Sequence, residues 1–183
     1  MTEFDEIYRH YQPKMGRYLA RLLGEHEAQD VLQNVMLQVS QSLPEFRGEA
    51  ALSTWIYRIA TNAATDHLRR QRQSASFAAL PLAPQPHEGV GPDLGLQHIR
   101  DEMGDCVRAL VNQLPQGYRL VLLLSDYEEL SNPEIANILG VTLETVKIRL
   151  HRARERMRKL MECECHFYHH SEIGLMCDRQ EKK

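Results

Sequence analysis

Hydrophobic residues recur every three or four positions along most of the chain, and we find no convincing apolar–polar alternation that would indicate a strand. The clearest case follows Gly24, where Leu32, Val35, Val39 and Leu43 form one apolar stripe. Such a stripe predicts a helix that buries one face. The spacing predicts an all-α fold with helices over residues 3–23, 27–43, 53–72 and 96–113, and further helices up to residue 161.

The predicted helix over residues 53–72 has two distinct faces. Its apolar positions share one face, which we expect to be buried, while polar and basic residues follow the same spacing on another. The segment before it, Pro44–Ala51, contains Pro and Gly and is predicted to be a loop. The expected buried residues are Leu52, Trp55, Ile56, Ile59 and Ala63, and the polar line is Arg58, Asn62, Thr65 and Arg69.

A change of composition divides the chain. Residues 74–94 begin with a Ser/Ala stretch and then hold four of the eight prolines, a composition that disfavours a packed fold and predicts a flexible linker. We therefore expect two small helical domains joined by that linker and followed by a tail. The predicted bounds are 1–73 and 96–161 for the domains, 74–95 for the linker and 162–183 for the tail.

The segment LSNPEIANILGVTLETVKIRLHRARERM has the features of a helix-turn-helix unit. Ser131 and Glu134 have capping-box spacing, and Pro133 suits a first helical turn. Gly140 suits the left-handed end of that helix, and Thr142 suits the cap of the next. The apolar faces are expected from Ile135, Ile138 and Leu139 in the first helix and from Val146, Leu150, Ala153 and Met157 in the second.

Positive charge is concentrated in the same segment. Residues 131–161 hold seven Lys or Arg against three Asp or Glu, although the whole chain has a net charge of −3. A helix that packs by one face and is basic on the other fits the DNA major groove, and its phosphate contacts weaken with salt. A solvated Arg-rich surface helix is the alternative interpretation.

Two blocks of the sequence resemble the sigma-70 family of bacterial RNA polymerase specificity factors. LPQGYRLVLLLSDYEELSNPEIANILGVTLETVKIRLHRARERMRKL resembles region 4 of that family, and AQDVLQNVMLQVSQSLPEFRGEAALSTWIYRIATNAATDHLRRQR resembles region 2. The length, the two domains and the short linker indicate the extracytoplasmic-function (ECF) group. The resemblance implies a non-enzymatic initiation factor that binds the clamp helices and flap of core RNA polymerase and recognises promoter elements near −35 and −10.

The resemblance implies three groups of site residues. The second helix of the helix-turn-helix would read the −35 element, the Pro44–Ala51 loop and the helix after it would capture the unpaired −10 strand, and the helix over 27–43 would dock on polymerase. Asn34 stands where the family more often has Glu, and a core role for Trp55 is favoured over base stacking. The −35 candidates are Thr145, Lys147, Arg149, His151, Arg152 and Arg154; the −10 candidates are Phe46, Arg47, Gly48, Arg58, Asn62, Asp66, Arg69 and Arg70; the docking candidates are Asp30, Gln33 and Asn34.

The tail, ECECHFYHHSEIGLMCDRQEKK, lies outside the usual family pattern and holds three of the four cysteines. Thiolates and imidazoles are ligands of Zn²⁺ and Cu(I), so the tail is a candidate metal site in a protein whose family requires no cofactor. A thiol switch and an incidental solvated tail are the alternatives. Cys106 is expected to be a small core residue. The candidate ligands are Cys163, Cys165, His166, His169, His170 and Cys177.

The sequence also bears on location and on competing functions. It has no apolar run approaching the roughly 20 residues that span a bilayer, and its first residues lack a signal-peptide core. We therefore expect a cytoplasmic protein with no membrane segment of its own, and the resemblance adds an anti-sigma factor as a further expected partner. A stand-alone helix-turn-helix repressor is the alternative function, but it would not need a region-2 block. An enzyme is disfavoured, because we find no Gly-rich phosphate loop or nucleophile motif.

Overall fold

The computed structural model describes residues 3–75, 104, 106–170 and 174–179. Within these ranges the all-α prediction is confirmed, with the addition of one β-hairpin in the tail. Most of the predicted linker and the first part of the predicted helix over 96–113 lie outside the described residues. The elements are α1 Glu3–Leu23, α2 Glu25–Ser42, α3 Leu52–Ala75, α4 residues 106–112, α5 Gln116–Leu122, α6 Asn132–Leu139, α7 Leu143–Glu164, β1 Cys165–His170 and β2 Gly174–Arg179.

The chain divides into two compact units. The first unit combines residues 1–80 with 120–148, and the second combines 81–119 with 149–183. These units cut the chain differently from the predicted domain bounds, which follow blocks of sequence and remain a prediction. None of the helices in the described part of the chain is both long and apolar enough to cross a membrane.

The core of the first unit forms where α1, α2 and α3 pack on one another. Tyr18 is fully buried, and its hydroxyl lies 2.9 Å from the Thr61 hydroxyl, so the two polar groups satisfy each other. The Tyr18 ring also meets the Tyr57 ring edge-on, with centroids 5.4 Å apart. Aromatic pairs in this geometry add about 1 kcal/mol to the burial they already provide.

The predicted buried face of α3 was wrong in its orientation. Of the five residues expected to be buried, only Ile56 is, and the other four are half-buried. The helix is rotated because Tyr57 and Thr61, which the pattern counts as polar, bury their rings and methyls and bond their hydroxyls to Glu128 and Tyr18. The residues that α3 buries are Thr54, Ile56, Tyr57, Ala60, Thr61 and Ala64.

The β-hairpin in the tail was not predicted. β1 and β2 are antiparallel, with Phe167 opposite Cys177 and Cys165 opposite Arg179. Cys165 and Cys177 are buried, whereas Phe167 is exposed. Among the side chains of β1 whose burial is described, only that of Cys165 is buried, and the segment shows no apolar–polar alternation, which is the signal that predicts a strand.

Candidate nucleic-acid and polymerase interface

The turn between α6 and α7 forms as the sequence predicts. The backbone N–H and the hydroxyl of Ser131 both donate to Glu134 Oε2, at 2.9 and 2.6 Å. These two hydrogen bonds lower the pKa of Glu134. Gly140 takes the left-handed conformation with φ 62°, and Thr142 Oγ1 accepts the Thr145 N–H at 3.1 Å to cap α7. Local hydrogen bonds therefore fix where α7 begins.

The six −35 candidates on α7 differ in how accessible they are. Thr145 is half-buried and its hydroxyl lies 2.8 Å from that of Thr142, so part of its bonding capacity serves the cap. Arg149 is also half-buried, with its guanidinium against Gly117. The four candidates that α7 exposes to solvent are Lys147, His151, Arg152 and Arg154.

Two cations further along α7 contact other side chains of the protein. The Arg156 guanidinium lies 5.3 Å from the centre of the Tyr118 ring, and Lys159 Nζ lies 3.0 Å from Glu155 Oε1. This ion pair lowers the pKa of Glu155. The exposed cations of α7 therefore extend along the helix from Lys147 to Lys159, and Arg156 and Lys159 near the end of that run contact other side chains of the protein.

The loop before α3 contains three of the −10 candidates. Gly48 has φ 70°, a conformation that favours glycine, and both Arg47 and Gly48 are exposed. Phe46 is half-buried, with its ring centre 5.0 Å from that of Trp55 and the planes inclined at 39°. Trp55 is thus half-buried, and its ring packs against that of Phe46 at the base of the loop.

The remaining −10 candidates lie on α3 and are all exposed. Arg58 Nε donates to the backbone oxygen of Asn137 in α6 at 3.0 Å, within the first unit. Asp66 and Arg69 form an ion pair at 3.2 Å, so the Asp66 carboxylate also orients its neighbour. The exposed set on α3 is Arg58, Asn62, Asp66, Arg69 and Arg70.

An anchor that sequence reasoning missed holds the segment after α5 to α1 and α3. A π-helical turn, Leu123–Tyr127, ends at Glu128, whose carboxylate is 9% exposed. Arg21 Nη1 donates to Glu128 Oε1 at 2.9 Å, and Tyr57 Oη donates to Oε2 at 2.5 Å. The Arg21 guanidinium also lies 4.8 Å from the Tyr127 ring centre. Burial, reinforced by the hydrogen bond to Glu128, raises the pKa of Tyr57.

The docking candidates on α2 share one solvent-facing side. Asp30, Gln33 and Asn34 are exposed, whereas Val31 and Val35 between them are buried. Leu37, one turn beyond Asn34, is 56% exposed and belongs to the same side. The sequence analysis did not include Leu37, although its position away from the apolar stripe of α2 indicated an exposed leucine.

The described part of the tail does not bring its candidate metal ligands together. Cys163, His166 and His169 are exposed, and the side chain of His170 lies outside the described residues. Among the described residues, no group of three or more His, Cys, Asp or Glu side chains is arranged to hold a metal ion. Metal binding by the tail therefore stays a prediction.

Two tail cysteines instead join a cysteine from α4. Cys165 and Cys177 are buried in one cluster with Leu110, and Cys106 packs against that cluster, as expected for a core cysteine. The Cys165 thiol is hydrogen-bonded to those of Cys106 and Cys177, and burial raises its pKa. Buried thiols held neutral in this way are poor nucleophiles. Further side chains against the cluster are Met157, Leu160 and Met161.

Models of known protein families match two separate segments of the chain. A family model described as Sigma-70 region 2 matches residues 7–74, and one described as Sigma-70, region 4 matches residues 104–157. The first match includes α3 and the loop before it, and the second ends within α7. The two matches together cover more than half of the chain.

Similar proteins and structures agree with the family models. The chain is 33% identical over 165 residues to the ECF RNA polymerase sigma factor SigW of Bacillus subtilis, covering 85% of this chain and 87% of that protein. It is 34% identical over 168 residues to the RNA polymerase sigma-H factor of Pseudomonas aeruginosa, covering 87% and 86%.

Solved structures extend the likeness to the fold. The sigma factor RpoE in complex with the anti-sigma factor NepR from Bartonella quintana superposes with a TM-score of 0.71 at 19% identity, covering 88% of this chain and 98% of that one. CnrH in complex with the cytosolic domain of CnrY gives a TM-score of 0.65 at 21% identity, covering 87% and 88%. With region 2 and region 4 both matched, the chain belongs to the ECF group of the sigma-70 family of RNA polymerase sigma factors.

Proposed function

We propose that this sigma factor reads the −35 element with the first half of α7 and captures the −10 strand with the loop before α3 and the exposed side of α3. The observation that carries the proposal is the arrangement of α7. Val146 is fully buried, Lys147 beside it is exposed, and the capped turn after Gly140 fixes the start of the helix. A helix built in this way presents cations and hydrogen-bond donors to a major groove.

The proposed roles on α7 divide by accessibility. Lys147 and His151 are exposed and are assigned to base edges, and Arg152 and Arg154 are assigned to phosphates. Thr145 and Arg149, which are half-buried, are assigned to positioning the helix in addition to any base contact. Removal of one phosphate contact lowers the slope of log affinity against log salt by about one unit.

Arg152→Ala tests the α7 assignment, with Lys159→Ala as the matched control. Lys159 lies on the same helix, is exposed and is paired with Glu155. We expect Arg152→Ala to weaken promoter binding by the polymerase complex and to flatten its salt dependence, with Lys159→Ala close to wild type. Equal effects of the two substitutions would mean that binding depends on overall charge and not on this surface.

For the −10 strand, the exposed side of α3 supplies cations, and Phe46 of the loop, packed on Trp55 of α3, supplies an aromatic surface. Bases extruded from a duplex are held by stacking and by cations along the backbone. Arg58 donates a hydrogen bond to the backbone oxygen of Asn137 in α6. Contact between Arg58 and DNA therefore requires that hydrogen bond to break. Phe46→Ala is expected to slow promoter opening while leaving binding to a closed −35 duplex unchanged.

We further propose that α2 docks on core polymerase through the side that carries Asp30, Gln33, Asn34 and Leu37. An exposed leucine within a polar patch gives such a surface an apolar centre. Leu37→Ala is expected to weaken association with core polymerase in a native gel, and Gln38→Ala, exposed at the edge of that side, is expected to leave it intact. Loss of binding in both variants would indicate unfolding of α2.

Regulation by a protein partner is the remaining element of the proposal. One solved structure of similar fold contains a sigma factor bound to an anti-sigma factor, and another contains CnrH bound to the cytosolic domain of CnrY. We propose that an anti-sigma factor also binds this chain and competes with polymerase. A stand-alone repressor is not favoured, because it would have no use for the region-2 match or for the exposed side of α2.

A further inference from the structure

An isoleucine occupies an exposed position of α7. Val146 is fully buried and marks the inward side of the helix. Ile148 follows two residues later, which places it roughly 200° around the helix axis, almost opposite Val146. In agreement with that placement, Ile148 is 43% exposed.

The neighbours of Ile148 on α7 are polar. Glu144, one turn before it, and Lys147, immediately before it, are exposed, as are His151 and Arg152 in the next turn. Single exposed apolar residues are common on protein surfaces, so exposure alone carries little meaning. Here, however, the apolar group is at the centre of the surface that the proposed function places in the major groove.

We infer that Ile148 determines specificity by contacting the 5-methyl group of a thymine in the −35 element. The inference rests on the proposed function of α7. An isoleucine side chain has no hydrogen-bond donor or acceptor, so it cannot form hydrogen bonds with the polar base edges of the groove. The thymine methyl is the apolar group that the major groove presents, and apolar side chains are its usual partners. Burial of that methyl removes apolar surface of both partners from water.

Deoxyuridine substitution tests the contact directly, because it removes the methyl group and keeps the base pair. A promoter is first selected with wild-type sigma factor and core polymerase, and each −35 thymine is then replaced singly by deoxyuridine. We expect one replacement to weaken binding of the wild-type complex by about three- to tenfold. Ile148→Ala should lose a similar factor on the thymine promoter and should no longer distinguish thymine from deoxyuridine at that position.

Lys147→Ala is the matched comparison on the adjacent residue. It should weaken binding to all these duplexes alike and should retain the discrimination between thymine and deoxyuridine. Equal discrimination by wild type and Ile148→Ala, or a selected −35 element without thymine, overturns the inference while the proposed function stands. Failure of wild type to direct polymerase to any promoter overturns both. Because Ile148 is exposed, the unfolding transition of Ile148→Ala should match that of wild type, which separates lost contact from lost structure.

Discussion

The anchor at Glu128 gives a quantitative prediction about the stability of the first unit. Replacement of Glu128 by alanine removes the acceptor for Arg21 Nη1 and Tyr57 Oη together. Tyr57 is 5% exposed, so its hydroxyl would lose a partner in a place where water has little access. An unsatisfied buried polar group costs about 1–3 kcal/mol.

The Arg21 contribution is smaller, because its side chain is 31% exposed and water can replace the carboxylate in part. A partly solvated ion pair contributes about 0.2–1 kcal/mol. The two contributions together predict that Glu128→Ala lowers the free energy of unfolding by about 1–4 kcal/mol. Glu128→Gln, which keeps one acceptor but loses the charge, should fall between wild type and alanine.

Urea unfolding monitored by tryptophan fluorescence is the appropriate assay, because the one tryptophan of the chain, Trp55, lies on α3 in the first unit. A double-mutant cycle with Tyr57→Phe isolates the hydrogen bond, and we expect a coupling energy of about 1–2 kcal/mol. Additive effects of the two substitutions, or an unchanged midpoint for Glu128→Ala, would contradict the anchoring role. Glu49→Ala, which removes an exposed loop carboxylate of the same unit, is the control and should be near neutral.

Four further predictions follow from single observations. Ser131→Ala should destabilise α6 by about 1 kcal/mol in urea unfolding. Hydrogen bonding to Ser131 lowers the pKa of Glu134, so the stability that this interaction provides should be present above pH 4.5, the ordinary pKa of the carboxyl group. That stability should be lost as the pH falls below 4.5. Burial raises the pKa of Tyr18 and of Tyr57, so in a spectrophotometric titration these two of the seven tyrosines should ionise only as the protein unfolds, with stability complete below pH 10 and lost above it. A thiol reagent should modify Cys163, which is exposed, well before Cys165 and Cys177, which are buried; equal rates would show that the hairpin opens readily. If the tail binds metal, Zn²⁺ or Cu(I) should bind wild type in equilibrium dialysis and should not bind a Cys163/Cys165/Cys177 triple-serine variant. Equal metal stoichiometry in the two proteins would contradict metal binding by the tail.

The parts of the fold that follow from local signals could be predicted from the sequence. The cap at Ser131, the left-handed Gly140 and the inward position of Val146 depend on residues within one or two turns of each other, and all three are present in the structure. The start of α7, and with it the direction of the proposed −35 surface, could therefore be predicted before any tertiary contact was known.

The parts of the fold that depend on residues distant in the sequence could not be predicted from it. Glu128 and Arg21 are 107 residues apart, and helical periodicity carries no information about such a pairing. The same limit explains α3, where the pattern treats Tyr57 and Thr61 as polar although tertiary partners satisfy their hydroxyls. It also applies to Cys106, whose cluster with Cys165 and Cys177 joins α4 to the hairpin.

The central claim is that this chain gives core RNA polymerase its choice of promoter. The most direct measurement is transcription in vitro with purified core polymerase and a genomic fragment library, with and without the sigma factor, followed by mapping of transcript start sites. We predict a defined set of starts that share −35 and −10 elements and that disappear when the sigma factor is left out. A chain that fails to associate with core polymerase, or that associates without changing where transcripts begin, would contradict the account.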